Sequence, residues 1–250
     1  MQNIDPLFFL EPIIMIGFSV ALVLFWHHRR GVTRSVLLFS LLAYAGAIVV
    51  KVVFQYATAP PFEASFPGNP LALGLYLGLQ TVIFEVGGAF LAASYAVSKH
   101  KFSVKDAESY GLSLALWENA GLIGGVALLD FLAYYVILSL GGSAADSVYG
   151  ILLKTQPQLF YPPLEALQVI AWAILERVSS MLVHLSWGCL CVMAASLHRK
   201  RYFLLALPMG LIDLLVPFAQ TLEISVFEII VFAFGVGCFV VTVYVSKSRA

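Results

Sequence analysis

The side chains able to do chemistry in this sequence are ionisable groups set inside stretches that are otherwise apolar. Glu85, Glu118, Asp130, Glu176, Arg177, His184 and Asp213 fall within hydrophobic runs, with Lys51, Glu11, Glu165, Glu223 and Glu228 nearer the run ends. A charge at the centre of a helix in hydrocarbon costs at least ~2.5 kcal/mol, so such groups face protein or a water-filled cavity. A buried glutamate beside a histidine can act as general base toward water. Glu118 with His184 is such a pair in residue type, and Asp213 can orient the imidazole or donate when protonated. The chemistry this set supports is amide hydrolysis inside a membrane. Zinc is a weaker reading, and no metal or other cofactor is expected. His184 is the only intramembrane histidine, no HExxH occurs, and catalytic zinc normally takes three protein ligands.

The elements that must position these groups follow from composition. Of 250 residues, 61% are hydrophobic and 11% charged, mean hydropathy is +0.93, and 14 basic residues balance 14 acidic ones. That excludes a soluble domain, a disordered chain and a basic nucleic-acid-binding protein. Crossing ~30 Å of hydrocarbon takes about 20 apolar residues, and seven runs qualify, near 7–26, 35–57, 70–98, 107–140, 162–197, 202–219 and 222–245. The fourth and fifth exceed what a span requires, so each is tilted, broken or continued outside the bilayer. The stretch 141–161 reads as a loop, as does 58–70 with Pro60, Pro61, Gly68 and Pro70.

Basic residues sort by side. Arg29, Arg30 and Arg34, then Lys99, Lys101 and Lys105, then Arg199, Lys200 and Arg201, and finally Lys247 and Arg249 mark alternate ends of the spans. The expected topology therefore has the N-terminus outside and the C-terminus in the cytoplasm, in one all-α domain over 1–250. This is a multi-pass protein, of the plasma membrane if prokaryotic. The first span lacks a basic leader region and reads as a signal-anchor. Cys189, Cys191 and Cys238 lie within spans and read as buried apolar residues rather than disulfide partners.

Depth ties the polar groups together. Glu85 lies 14 residues before Lys99, Glu118 13 after Lys105, His184 15 before Arg199 and Asp213 12 after Arg201. At 1.5 Å per residue all four sit roughly 18–22 Å from the basic boundary. The midplane is also where any mid-helix residue falls, but four helices delivering one polar group each to one level favours a shared site. Gly111, Ala115, Glu118, Gly121 and Gly125 follow a 3, 4, 3, 4 stripe that lets helices pack closely and points Glu118 inward. Arg177, Ser180, His184, Gly188 and Cys191 make a similar stripe. Glu176 and Arg177 lie about 33 Å from Arg199 along a straight helix, near the outer edge, where a structural ion pair accounts for them as well as function does. GxSxG, Walker, GxGxxG and CxxC motifs are absent, and no lysine before 247 in the last span offers a retinal site.

Several strings resemble a known family. YGLSLALWENAG (110–121) resembles the Gly-rich helix of YhfC-type intramembrane proteases, with Glu118 on its glutamate. LERVSSMLVHLSWG (175–188) is similar to that family's Glu-Arg followed by His, which places Glu176, Arg177 and His184. LPMGLID (207–213) resembles its His-x-x-x-Asp helix through Asp213, and FEVGG (84–88) its Glu-Glu-x-Gly-Arg motif through Glu85. The resemblance covers about 70–220. Phe84, Gly88, Leu114 and Met209 stand where the family pattern has glutamate, arginine and two histidines. LVHLSWG with HRKRYFLLAL (198–207) is also similar to the anterior-pharynx-defective scaffold subunit of γ-secretase, a seven-span relative. The resemblance thus implies a peptidase in which Glu118 and His184 activate water against a transmembrane peptide. The alternative is a non-catalytic scaffold that docks a partner membrane protein, and a third reading is a small-solute or ion pathway. Lipid is the expected surroundings, and no nucleic acid is expected.

Overall fold

A computed structural model describes residues 3–247, so Arg249 of the last basic cluster lies outside the described residues. Seven helices long and apolar enough to cross a bilayer succeed one another: Pro6–Arg30, Arg34–Ser65, Pro70–Ser98, Val104–Leu140, Pro163–Leu197, Lys200–Ala219 and Ile224–Lys247. Among the described residues there is no strand. The chain is a multi-pass membrane protein. Local chemistry sets the helix starts. Thr33 and Asn69 side chains accept from the Val36 and Ala72 N–H groups at 3.3 and 3.1 Å. Ser103 and Asp106 form a capping box, and Pro70 and Pro163 begin helices where a missing N–H costs nothing.

The fifth span is the hub. Buried residues make up 83% of its apolar stretch, against 17–33% in the other six. It crosses the fourth span at Gly188 and Gly111, where a Cβ on Gly188 would lie 2.5 Å from the Gly111 Cα. Only a pair of glycines allows backbones so close. Trp187, Tyr110, Leu114 and Leu190 fill the core around this crossing. Facing outward are Leu24, Val53, Leu91, Leu129 and Val240, all exposed, as a lipid-facing surface requires. The ends of spans one, four and seven share a side, since Arg30, Glu108 and Lys247 line one cavity there.

Three local features differ from the sequence expectation. The second span continues through Pro60 and Pro61 to Ser65 instead of ending near 57. Two prolines remove ladder hydrogen bonds, but this turn is mostly exposed. It is also held to the third span by Phe62 stacked on Tyr76 at 4.4 Å and by a 2.7 Å Thr58–Tyr76 hydrogen bond. The 141–161 stretch is not a loop but a helix, Gly142–Thr155, followed by a 3-10 turn at Pro157–Phe160. Ala145 and Leu152 of that helix pack on Phe8, Phe131 and Ile170 in a second apolar cluster at one end of the bundle. Of the two long spans, the fourth is interrupted by a π-helical segment, Trp117–Gly124, while the fifth is one unbroken 35-residue helix. The π segment also redirects the small-residue stripe. Gly111 and Ala115 are buried, but Gly121 is exposed. Gly124 takes the close approach instead, where a Cβ would lie 2.9 Å from Ile16 Cγ1 of the first span. Bonding i to i+5 turns the chain less per residue, so positions beyond Trp117 leave the 3, 4 phase. Gly125 is half-buried, and a Cβ there would meet only its own helix at Ala120.

Candidate functional site

Six spans line one cavity of 230 Å³ in the bundle. Glu85, Glu118, His184 and Asp213, which arrive on four different helices, all face it, together with Glu176, Arg177 and Lys51. Asp130 is exposed and does not line the cavity.

Three of the four carboxylates at the cavity's centre stand on irregular turns. Glu85 belongs to a π-helical turn, Thr81–Val86; Glu118 to the π segment of the fourth span; and Asp213 to a 3-10 stretch, Leu207–Leu214. Such interruptions re-aim side chains and collect at functional sites. Pro208 starts the 3-10 stretch, and Gly210 lets it press on the third span, since a Cβ there would sit 3.0 Å from Val82 Cα. That approach carries Asp213 to Thr81 and Glu85. His184 and Arg177, by contrast, project from the regular fifth span, whose rigidity fixes both.

His184 is held from several sides. Its Nδ1 lies 2.8 Å from Glu118 Oε2 and 3.0 Å from the Ser180 carbonyl oxygen. The Ser180 hydroxyl donates to Glu118 Oε2 at 2.6 Å. Trp187 and Tyr44 pack on the imidazole with ring centroids 4.1 and 6.0 Å away. With Nδ1 donating to Glu118, the other nitrogen, Nε2, carries the lone pair whenever the ring is neutral. It is buried, has no hydrogen-bond partner and lies 3.7 Å from Glu85 Oε2.

Two cations complete the site. Arg177 lies 3.6 Å from Glu118 Oε1 and pairs with Glu176. These two residues, which counting along a straight helix puts near the outer edge, line the same cavity as His184, two turns before it on the fifth span. Lys51 donates to Thr81 Oγ1 at 2.7 Å, Glu85 Oε1 at 2.7 Å and Asp213 Oδ2 at 2.9 Å. Thr81 in turn donates to Asp213 Oδ2 at 2.5 Å. Sequence reasoning set Lys51 nearer a helix end and did not single out Thr81 or Tyr44. The signal for Lys51 was present: it is a lone lysine in a long apolar run, with two unpaired carboxylates at matching depth on other spans.

The residues that interrupt the family-like motifs stand apart. Phe84 packs against Phe54 with centroids 5.4 Å apart, Leu114 and Met209 are buried in the apolar core, and Gly88 faces Ala47. None of the four lines the cavity.

The donor set does not fit a resident catalytic metal. Among the described residues no three His, Cys, Asp or Glu side chains converge as ligands, whereas catalytic zinc takes three. Glu85 and Asp213 already close on the Lys51 ammonium group.

In comparison with known proteins, the sequence model of the family described as YhfC intramembrane metalloprotease matches residues 13–233. No curated protein and no solved structure matches.

Proposed function

The chain belongs to the YhfC family of intramembrane metalloproteases, and on that premise we propose that it hydrolyses peptide bonds of membrane-embedded substrates in the cavity of the six spans. The observation that supports this reading most strongly is the bare, buried Nε2 of His184, 3.7 Å from Glu85 Oε2. One water can bridge that separation. In this reading His184 Nε2 takes a proton from the water, whose oxygen attacks the scissile carbonyl carbon. The resulting imidazolium then returns the proton to the leaving amine as the C–N bond breaks. Glu118 fixes the tautomer through Nδ1–H and stabilises the imidazolium, the part a carboxylate plays behind a catalytic histidine. Glu85 aligns the water. Asp213 acts at a distance, because its carboxylate is engaged by Lys51 and Thr81 rather than by the imidazole.

A second reading, a scaffold that docks a partner membrane protein, draws support from the degree of internal pairing. Lys51 and Arg177 between them engage Glu85, Asp213, Glu118 and Glu176. The two readings separate in proteoliposomes offered a library of transmembrane helical peptides. The peptidase reading expects turnover by wild type and a fall of about 10²–10⁴-fold in Glu118→Gln. Equal turnover by both would remove Glu118 from the chemistry, and an inert wild type would leave the scaffold.

A further inference from the structure

Two carboxylates that converge on one point can share a divalent metal ion. Here the position is filled by a side chain. Lys51 lies about 26 Å along its helix from Arg34 and about 21 Å from Ser65, at 1.5 Å per residue, and its side chain is only 13% exposed, turned into the bundle rather than to either helix end. A lysine at such depth must find partners, and Lys51 finds three. Its three N–H bonds are all used, on Thr81, Glu85 and Asp213, at 2.7 to 2.9 Å. An ammonium has no fourth donor and no acceptor, so this is a closed shell. It joins spans two, three and six through charge-assisted bonds.

The same contacts leave no seat for a metal ion. The ammonium holds Glu85 Oε1 and Asp213 Oδ2, so a divalent ion drawn to these carboxylates would lie beside a like charge, and among the described residues no three His, Cys, Asp or Glu side chains are grouped as ligands. His184 Nε2 and Glu85 Oε2 are left facing one another at 3.7 Å, one ligand short of a catalytic zinc site.

We infer that Lys51 is this chain's built-in cation, a positioning residue that does for Glu85 and Asp213 what a bridging metal would do, so that the site operates without one. The inference rests on the cavity assigned in the proposed function but not on its peptide chemistry, and metal binding and thermal stability test it with no substrate present. Purified protein in nanodiscs is treated with a chelator, assayed for bound metal by mass spectrometry, and melted with and without added Zn²⁺ or Co²⁺.

Wild type is expected to hold only substoichiometric metal, and its thermal midpoint to ignore chelator and both ions. Lys51→Ala opens space between Glu85, Asp213 and His184. It is expected to melt lower, to regain stability with Zn²⁺, and to bind Co²⁺ at least about tenfold more tightly than wild type. The bound Co²⁺ should show the visible absorption of a four-coordinate site. Lys51→Ala combined with Glu85→Gln should lose both gains. A stoichiometric ion in wild type whose removal lowers the midpoint would overturn the inference. So would a folded Lys51→Ala that binds Co²⁺ no better than wild type. If Lys51→Ala is not recovered folded, the wild-type metal and melting measurements decide alone.

Discussion

At His184 the two ring nitrogens have different surroundings, and the difference assigns their work. Nδ1 has Glu118 and the Ser180 carbonyl within 3.0 Å, whereas Nε2 has no hydrogen-bond partner and lies 3.7 Å from Glu85 Oε2. Ser180 stands close enough to Nδ1, at 3.3 Å, to suggest a serine–histidine pair. Its proton, however, is committed to Glu118 at 2.6 Å, and the nitrogen it approaches is the one that donates. Ser180→Ala is therefore expected to weaken folding by about 1–3 kcal/mol, the cost of leaving a buried carboxylate one donor short. Turnover should stay within about tenfold, the worth of ~1.4 kcal/mol. Chemical denaturation and peptide cleavage check the two halves; complete loss of cleavage in a folded variant would make Ser180 the nucleophile.

At the scale of helices, the site depends on crossings and interruptions that differ in how visible they are from sequence. Glu85, Glu118, His184 and Asp213 were legible, because a polar group in an apolar run stands out and its depth can be counted. The Glu176–Arg177 ion pair was legible too, but the approach of Arg177 to Glu118 was not, since counting from Arg199 gives a depth and not the helix that a side chain faces. Lys51 was read near a helix end because Pro60 and Pro61 suggested one, while stacking against Tyr76 carries the helix on to Ser65. The π turns left no pattern, as they depend on how neighbouring helices close around Glu85 and Glu118. These crossings give a contrast to test. Gly188→Ala drives a methyl group into the Gly111 backbone. It should cost about 1–3 kcal/mol and disturb the Glu118–His184 contact, lowering activity along with the melting temperature. Gly121→Ala adds a methyl to an exposed site and should change stability by no more than about 0.5 kcal/mol.

For the whole molecule, the basic clusters at alternate helix ends predict an outside N-terminus by the positive-inside rule. The helix Gly142–Thr155 then lies on the outer side, at the end of the bundle away from Arg30 and Lys247. Cys189, Cys191 and Cys238 are buried, so an impermeant maleimide has little background. Ser147→Cys, on the exposed face of that helix, should label from outside intact cells, and Lys101→Cys only after lysis. The reverse pattern would invert the topology. Six spans around one hub also explain how an almost neutral chain can keep so many charges in an apolar interior: Lys51 is held by carboxylates of two other helices, and Arg177 by Glu118 of another as well as by its neighbour Glu176, so the site and the bundle are stabilised by the same contacts.

The claim that these contacts serve hydrolysis is tested most directly by the bare nitrogen of His184. His184→Gln keeps a polar side chain of similar reach but removes the basic nitrogen, and its melting temperature shows whether the bundle survives. On a transmembrane peptide cleaved by wild type in proteoliposomes, the folded variant is predicted to lose at least about 10²-fold in turnover. Cleavage at the wild-type rate by a folded His184→Gln protein would contradict the account.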